Sequence, residues 1–100
     1  MDWLIMKGYI VCVYENVGDL ITLKNYSKQT QKAVKKYKGK FLVRGGKKIT
    51  TEGNDFIRTA VIEFSTFERA KEFFYSDEYQ AAHEILKNDV VRHHQIIRGC

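Results

Sequence analysis

Apolar and polar positions change period several times along the chain, and each change marks an element. Gly8–Glu15 (GYIVCVYE) is a run of β-branched and aromatic residues with the length of a buried strand. After Gly18, the positions Leu20, Leu23, Tyr26, Thr30, Ala33 or Val34, and Tyr37 recur every three or four residues. This is the spacing of an amphipathic helix, with Gly39 placed to close it in the left-handed conformation. Lys40–Arg44 predicts a second strand, Gly45-Gly46 a tight turn and Lys47–Glu52 a continuing hairpin arm, with a further turn signal at Gly53-Asn54-Asp55. Ile57–Phe64 alternates as a third strand. Ser65 or Thr66 is placed to cap a helix carrying Phe67, Ala70, Phe73 and Phe74. Ser76-Asp77 breaks that helix; Tyr79, Ala82 or His83, and Leu86 continue it as a shorter segment, and Arg92–Arg98 supplies a last strand.

The order βαββαβ predicts an α+β, ferredoxin-like fold: an antiparallel sheet with its two helices on one face. Strand parity assigns Ile10, Cys12, Tyr14, Phe41, Val43, Ala60, Ile62 and Phe64 to the helix-packed face. It sends Tyr9, Val11, Val13, Leu42, Arg44, Val61 and Glu63 to the other. That second face is too apolar for water, so the pattern predicts a homodimer formed through the sheet face.

Composition narrows the picture. One hundred residues, 44% hydrophobic and without proline, suit one domain, expected over residues 8–99 behind an extension at residues 1–7. The apolar run WLIM near the start is far too short to span a membrane, and no cationic segment precedes a signal-type core. Two cysteines without metal-ligand spacing, Cys12 and Cys100, fit a reducing, cytoplasmic setting. The formal charge of +5 is unevenly spread: Lys24–Lys48 holds nine lysines plus Arg44 and no acidic residue. That asymmetry raises the question of an anionic partner.

Four segments carry a resemblance. KGYIV at Lys7–Val11, KYKGKFLVRGG at Lys36–Gly46, AVIEF at Ala60–Phe64 and FFYSDEYQAA at Phe73–Ala82 resemble the family called domain of unknown function 1330, over about nine tenths of the chain. The resemblance implies a dimeric α+β barrel made from two facing sheets, and it implies no assigned activity. Members open at M-K-G-Y, so Met1–Ile5 reads as an extension ahead of Met6. They also carry Arg near the position of His83 and again about three residues on; here these positions hold His83 and Leu86, followed by Lys87.

Two constellations are candidates for chemistry. Arg44 and Glu63 share a face by parity and would lie on neighbouring strands. Arg44 could orient a carboxylate-bearing ligand and Glu63 could move a proton, or the two could be an ion pair at the dimer interface. Tyr75, Tyr79 and His83 recur at i, i+4 and i+8 if the helix continues through the break, with Ser76 beside them. Tyr79 and His83 are then candidate proton donor and acceptor, and Tyr75 and Ser76 candidate ligand contacts; tyrosines at this spacing also serve as core-edge residues. His93 and His94 point to opposite faces of a strand and cannot bind one metal together, so no metal site is expected. Neither a nucleophile elbow nor a phosphate-binding glycine loop occurs, and no motif calls for a cofactor.

Nucleic-acid binding is the rival, because βαββαβ is also the order of the RNA-recognition motif. That module needs stacking aromatics in its third strand, where this chain has Thr59 and Val61. The Lys24, Lys28, Lys32, Lys36 stripe reads as a solvated helix face. The function expected is therefore binding of a small organic molecule, with cofactor-free proton-transfer or oxygenation chemistry, or a non-catalytic binding or structural role, in a cytoplasmic homodimer.

Overall fold

The computed structural model describes residues 6–86 and 90–100; most of the expected extension, Met1–Ile5, lies outside the described residues. The elements are β1 (Gly8–Asn16), α1 (Leu20–Lys36), β2 (Lys40–Arg44), β3 (Arg58–Phe64), α2 (Phe67–Tyr75), α3 (Asp77–Leu86) and β4 (Val91–Arg98). The strands form one antiparallel sheet in spatial order β2-β3-β1-β4, the ferredoxin-like α+β arrangement. The expected break at Ser76-Asp77 is real, and it divides the second helical region into α2 and α3.

Local chemistry explains the ends of α1. Asp19 accepts hydrogen bonds from the Ile21 N–H and the Thr22 hydroxyl, which satisfies the free donors of the first turn. At the other end the Lys38 N–H reaches the Lys35 carbonyl and the Gly39 N–H the Val34 carbonyl. The left-handed residue of this cap is Lys38, with φ of 59°, and not the expected Gly39. Gly39 is needed for a different reason: a Cβ there would stand 2.6 Å from Phe64 Cε1, so only glycine lets the chain pass over that ring.

The helices cover one face of the sheet. Ile10, Ile62 and Phe64 pack there against Val34 of α1, Phe73 of α2, and Tyr79 and Leu86 of α3. The Phe73 ring lies 4.9 Å from that of Phe64 and 4.8 Å from that of Tyr79, which gives the core an aromatic centre. Truncating such a ring to alanine costs about 3–5 kcal/mol.

Two expectations about the second strand and its loop are corrected. Val43 pairs with Val61 and Arg44 with Ala60, because a bulge between Phe41 and Val43 shifts the register by one. The extra residue reverses parity, so Arg44 joins Ala60 on the helix-covered face and Val43 joins Val61 on the outer one. The arm expected at Lys47–Glu52 is not a strand. Lys48 Nζ and Thr50 Oγ1 both donate to Asp55 Oδ1, and Gly45, Gly46 and Gly53 all have positive φ, so the segment folds onto its own side chains.

The outer face carries Tyr9, Val11, Val13 and Val61 half-buried, with Val43 and Ile97 exposed at 41% and 49%. Among the described residues no helix packs over this face. The described residues include no helix long and apolar enough to cross a membrane.

Candidate functional site

Between α1, the helix-covered face of the sheet and the start of α3 lies a cavity of about 400 Å³. Its wall is built by strand alternation and helical periodicity. Residues of even number in β1 and β4 face inward, so Tyr14 and Arg92, which are partners across the sheet, both point into it. Tyr26 comes from the buried stripe of α1. Tyr79 comes from the first turn of α3, where Ser76 fixes it: the Ser76 hydroxyl accepts from the Tyr79 N–H and donates to the Phe73 carbonyl.

These side chains meet at one guanidinium. Arg92 Nη1 donates to the hydroxyls of Tyr14 at 3.1 Å and Tyr26 at 3.0 Å, and Nη2 to that of Tyr79 at 2.9 Å. The Tyr26 and Tyr79 hydroxyls are themselves 2.8 Å apart. Arg92 Cζ also sits over the faces of Tyr14 and Tyr26, 5.5 and 5.2 Å from the ring centroids. One of Tyr26 and Tyr79 must donate to the other. The remaining hydroxyl proton of that pair, and the proton of Tyr14, find no oxygen acceptor among the described residues.

The charge around this cluster is of one sign. Lys24, Lys28, Arg44, Arg58 and Arg92 line the cavity, and no Asp or Glu does. None of the five forms an ion pair with a described residue. Burial pushes the Tyr14 and Tyr79 hydroxyls well above the ordinary phenol range, so neither supplies a negative charge at neutral pH. Burial works against the charge of Arg92, but an arginine keeps its proton and its hydrogen bonds to the Tyr14, Tyr26 and Tyr79 hydroxyls offset part of that cost, so the group remains a cation. Cys12, pushed up by burial more than Arg92 pulls it down, is a thiol.

His94 also faces inward, two residues along β4 from Arg92, and it lines both this cavity and a smaller one of about 220 Å³ shared with His83, Phe74 and Leu86. Burial, and then the charges of Arg92 and His83, push its imidazole down to about 4, so it is neutral at physiological pH. His93 faces the other way, stacked on Phe56 and 2.9 Å from Glu15.

The residues singled out from the sequence are distributed unevenly over this site. Arg44 reaches the cavity wall, brought there by the bulge, with its guanidinium over the Phe41 ring. Glu63 is on the outer face and accepts from the Tyr9 hydroxyl at 3.0 Å, so the expected pairing of Arg44 with Glu63 does not form. Tyr79 is at the centre of the site, only 1% exposed, and is not the half-wet core-edge residue its spacing suggested. Tyr75 is 68% exposed and Ser76 is occupied in capping α3. His83 lines the smaller cavity; the break before α3 separates Tyr75 from this alignment, whereas Tyr79 and His83 stay one turn apart with ring centroids at 6.2 Å. Lys87 lies outside the described residues.

Sequence reasoning missed Arg92 and Tyr14 as site residues and took Tyr26 as ordinary core. One signal was present: Arg92, His94 and Ile96 alternate, and if Ile96 faces the helices so does a charged guanidinium. Which tyrosines would receive it depended on the β1–β4 register.

The fold recurs in solved structures of low sequence similarity. A protein of unknown function from Rhodopseudomonas palustris is 9% identical with a TM-score of 0.75, the match covering 96% of this chain and 84% of that one. A dimeric protein of unknown function with a ferredoxin-like fold from Bacteroides fragilis is 16% identical with a TM-score of 0.62, over 93% and 95% of the two chains. A Caulobacter crescentus protein provisionally described as an antibiotic biosynthesis monooxygenase is 13% identical with a TM-score of 0.56, over 95% and 90%. No curated protein matches the chain. The family model for the domain of unknown function (DUF1330) matches residues 7–100. By that match, which takes in every strand and helix described above, the chain belongs to the domain of unknown function 1330 family.

Proposed function

We propose that the protein binds a small organic acid in the cavity between α1 and the sheet, with the ligand's carboxylate received by Arg92 and the tyrosine hydroxyls around it. The observation that carries this reading is the setting of Arg92: a half-buried cation held by three tyrosine hydroxyls, with no carboxylate among the described residues to balance it. Burying a charge without a counter-charge is costly, and an anionic ligand removes that cost. The hydroxyl proton that the Tyr26–Tyr79 pair does not use internally is a donor a carboxylate could accept. The volume and largely apolar lining suit a small organic molecule.

The same reading makes the protein a homodimer in which two sheets face each other. The apolar side chains of the outer face support it, as do the dimeric ferredoxin-like proteins of Bacteroides fragilis and Thermobifida fusca. Native mass spectrometry of protein purified without added ligand tests both parts. The expected result is a dimer carrying an acidic small molecule that Arg92→Met loses while remaining folded. Retention of the same adduct by that variant would place the site elsewhere.

A second reading, cofactor-free proton transfer on the bound acid, is favoured by His94. Its imidazole is neutral, an anion bound at Arg92 would offset part of the charge that holds its basicity down, and the Arg92–tyrosine cluster can stabilise a developing oxyanion. Oxygenation draws its support from the description of the Caulobacter protein and from no described side chain of the cavity.

A further inference from the structure

We infer that the ligand is an organic dicarboxylate, its inner carboxylate at Arg92 and its outer one at Arg58 and Arg44; this rests on the organic-acid reading above. Arg92, Tyr14 and Arg58 are partners in one row across β4, β1 and β3. All three face the cavity. The two arginines therefore stand two strand spacings apart, about 10 Å between backbones, with the Tyr14 ring between them. One carboxylate held by Arg92 and its phenols leaves Arg58 on the far side of Tyr14 without an anion.

Two features bring guanidinium groups to that outer position. The β2 bulge turns Arg44 inward, where it lies over Phe41. Gly45, at φ of 73°, lets the Arg58 side chain rest against the turn: a Cβ there would stand 2.8 Å from Arg58 Nη1. Lys24 and Lys28, one turn apart on α1, line the cavity as well. Between the arginines the sheet wall carries the Tyr14 ring, then Cys12 and Ala60 in the next inward-facing row, with Ile62 and Phe41 beyond them. Cations at two ends of an apolar channel are the complement of two anionic groups joined by a hydrocarbon spacer, and paired arginines suit carboxylates because each can bind one in bidentate fashion.

Calorimetric titration of the native protein with octanoate and suberate, and with hexanoate and adipate, tests this, because each pair differs only in the second carboxylate. The expected result is about tenfold or greater preference for the diacid in at least one pair. Arg44→Met with Arg58→Met is expected to abolish that preference, so that diacid and monoacid bind the variant with affinities within about twofold of each other. Arg58→Lys alone should keep part of the preference. Equal affinity for monoacid and diacid in both pairs overturns the dicarboxylate inference and leaves the organic-acid reading standing. A diacid preference that survives the double variant overturns the assignment of the outer end to Arg44 and Arg58. Failure of all four acids to bind overturns the inference and the reading beneath it.

Discussion

His94 stands at the boundary of the two cavities, and burial beside Arg92 holds its imidazole down to about 4, against an ordinary value near 6.5. Between those values the unfolded chain takes up a proton that the folded chain refuses. The stabilisation is therefore fully present above about pH 6.5 and is lost as pH falls toward 4, by up to about 3 kcal/mol. Chemical denaturation at a series of pH values should show this loss in the native protein and a much flatter profile in His94→Leu. His83, shifted in the same direction but more exposed, should contribute less, so His83→Gln should resemble the native protein. An unchanged slope in His94→Leu would mean that the imidazole is solvated. Individual side chains were where the sequence was least legible. Tyr79 could be singled out by its spacing, but its partners Tyr26 and Arg92 are 53 and 13 residues away, and only the fold brings their polar ends together.

Elements were more legible, because their signals are local. The β-rich run of β1, the alternation of β3, a cap of α2 at Ser65 or Thr66 and the break before α3 are written in neighbouring residues; the structure bears them out, with Thr66 as the cap. The errors also share a cause. A bulge adds one residue without any change in composition, so the inward turn of Arg44 could not be read from KFLVR. At the end of α1, glycine suggested the left-handed position, but the demand for glycine comes from the Phe64 ring, a tertiary contact. Opposite effects follow for two adjacent residues. Lys38→Gly should raise stability by up to about 1 kcal/mol, because it relieves a left-handed lysine at some cost in chain entropy. Gly39→Ala should lower it by about 1–3 kcal/mol, because its methyl meets a packed ring. Thermal melts of the two variants decide the point: destabilisation by Lys38→Gly with a neutral Gly39→Ala would return the left-handed role to the glycine.

For the whole molecule, the uneven surfaces of the sheet organise the account. One face is sealed by helices except at a cationic cavity, and the other, rich in apolar side chains, is not covered by any described helix. Covering several large side chains per protomer by a second copy would contribute several kcal/mol at about 25 cal/mol per Å². Sedimentation at micromolar concentration should give twice the chain mass, and Val61→Lys, at the middle of the outer face, should shift it toward the monomer. A compact monomer in the native protein would remove the facing-sheet arrangement. The concentration of positive charge in Lys24–Lys48 was legible from composition. Its use was not, because Lys24, Lys28 and Arg44 share a cavity only once α1 and β2 lie over the sheet.

The account turns on Arg92 as the receiver of a carboxylate, and calorimetric titration of octanoate into the native protein and into Arg92→Met tests that most directly. The account predicts one site per chain in the native protein, with affinity reduced about tenfold or more in the variant, since a charge-assisted hydrogen bond contributes about 1.5–3 kcal/mol. Equal affinity and stoichiometry in the two proteins would contradict it.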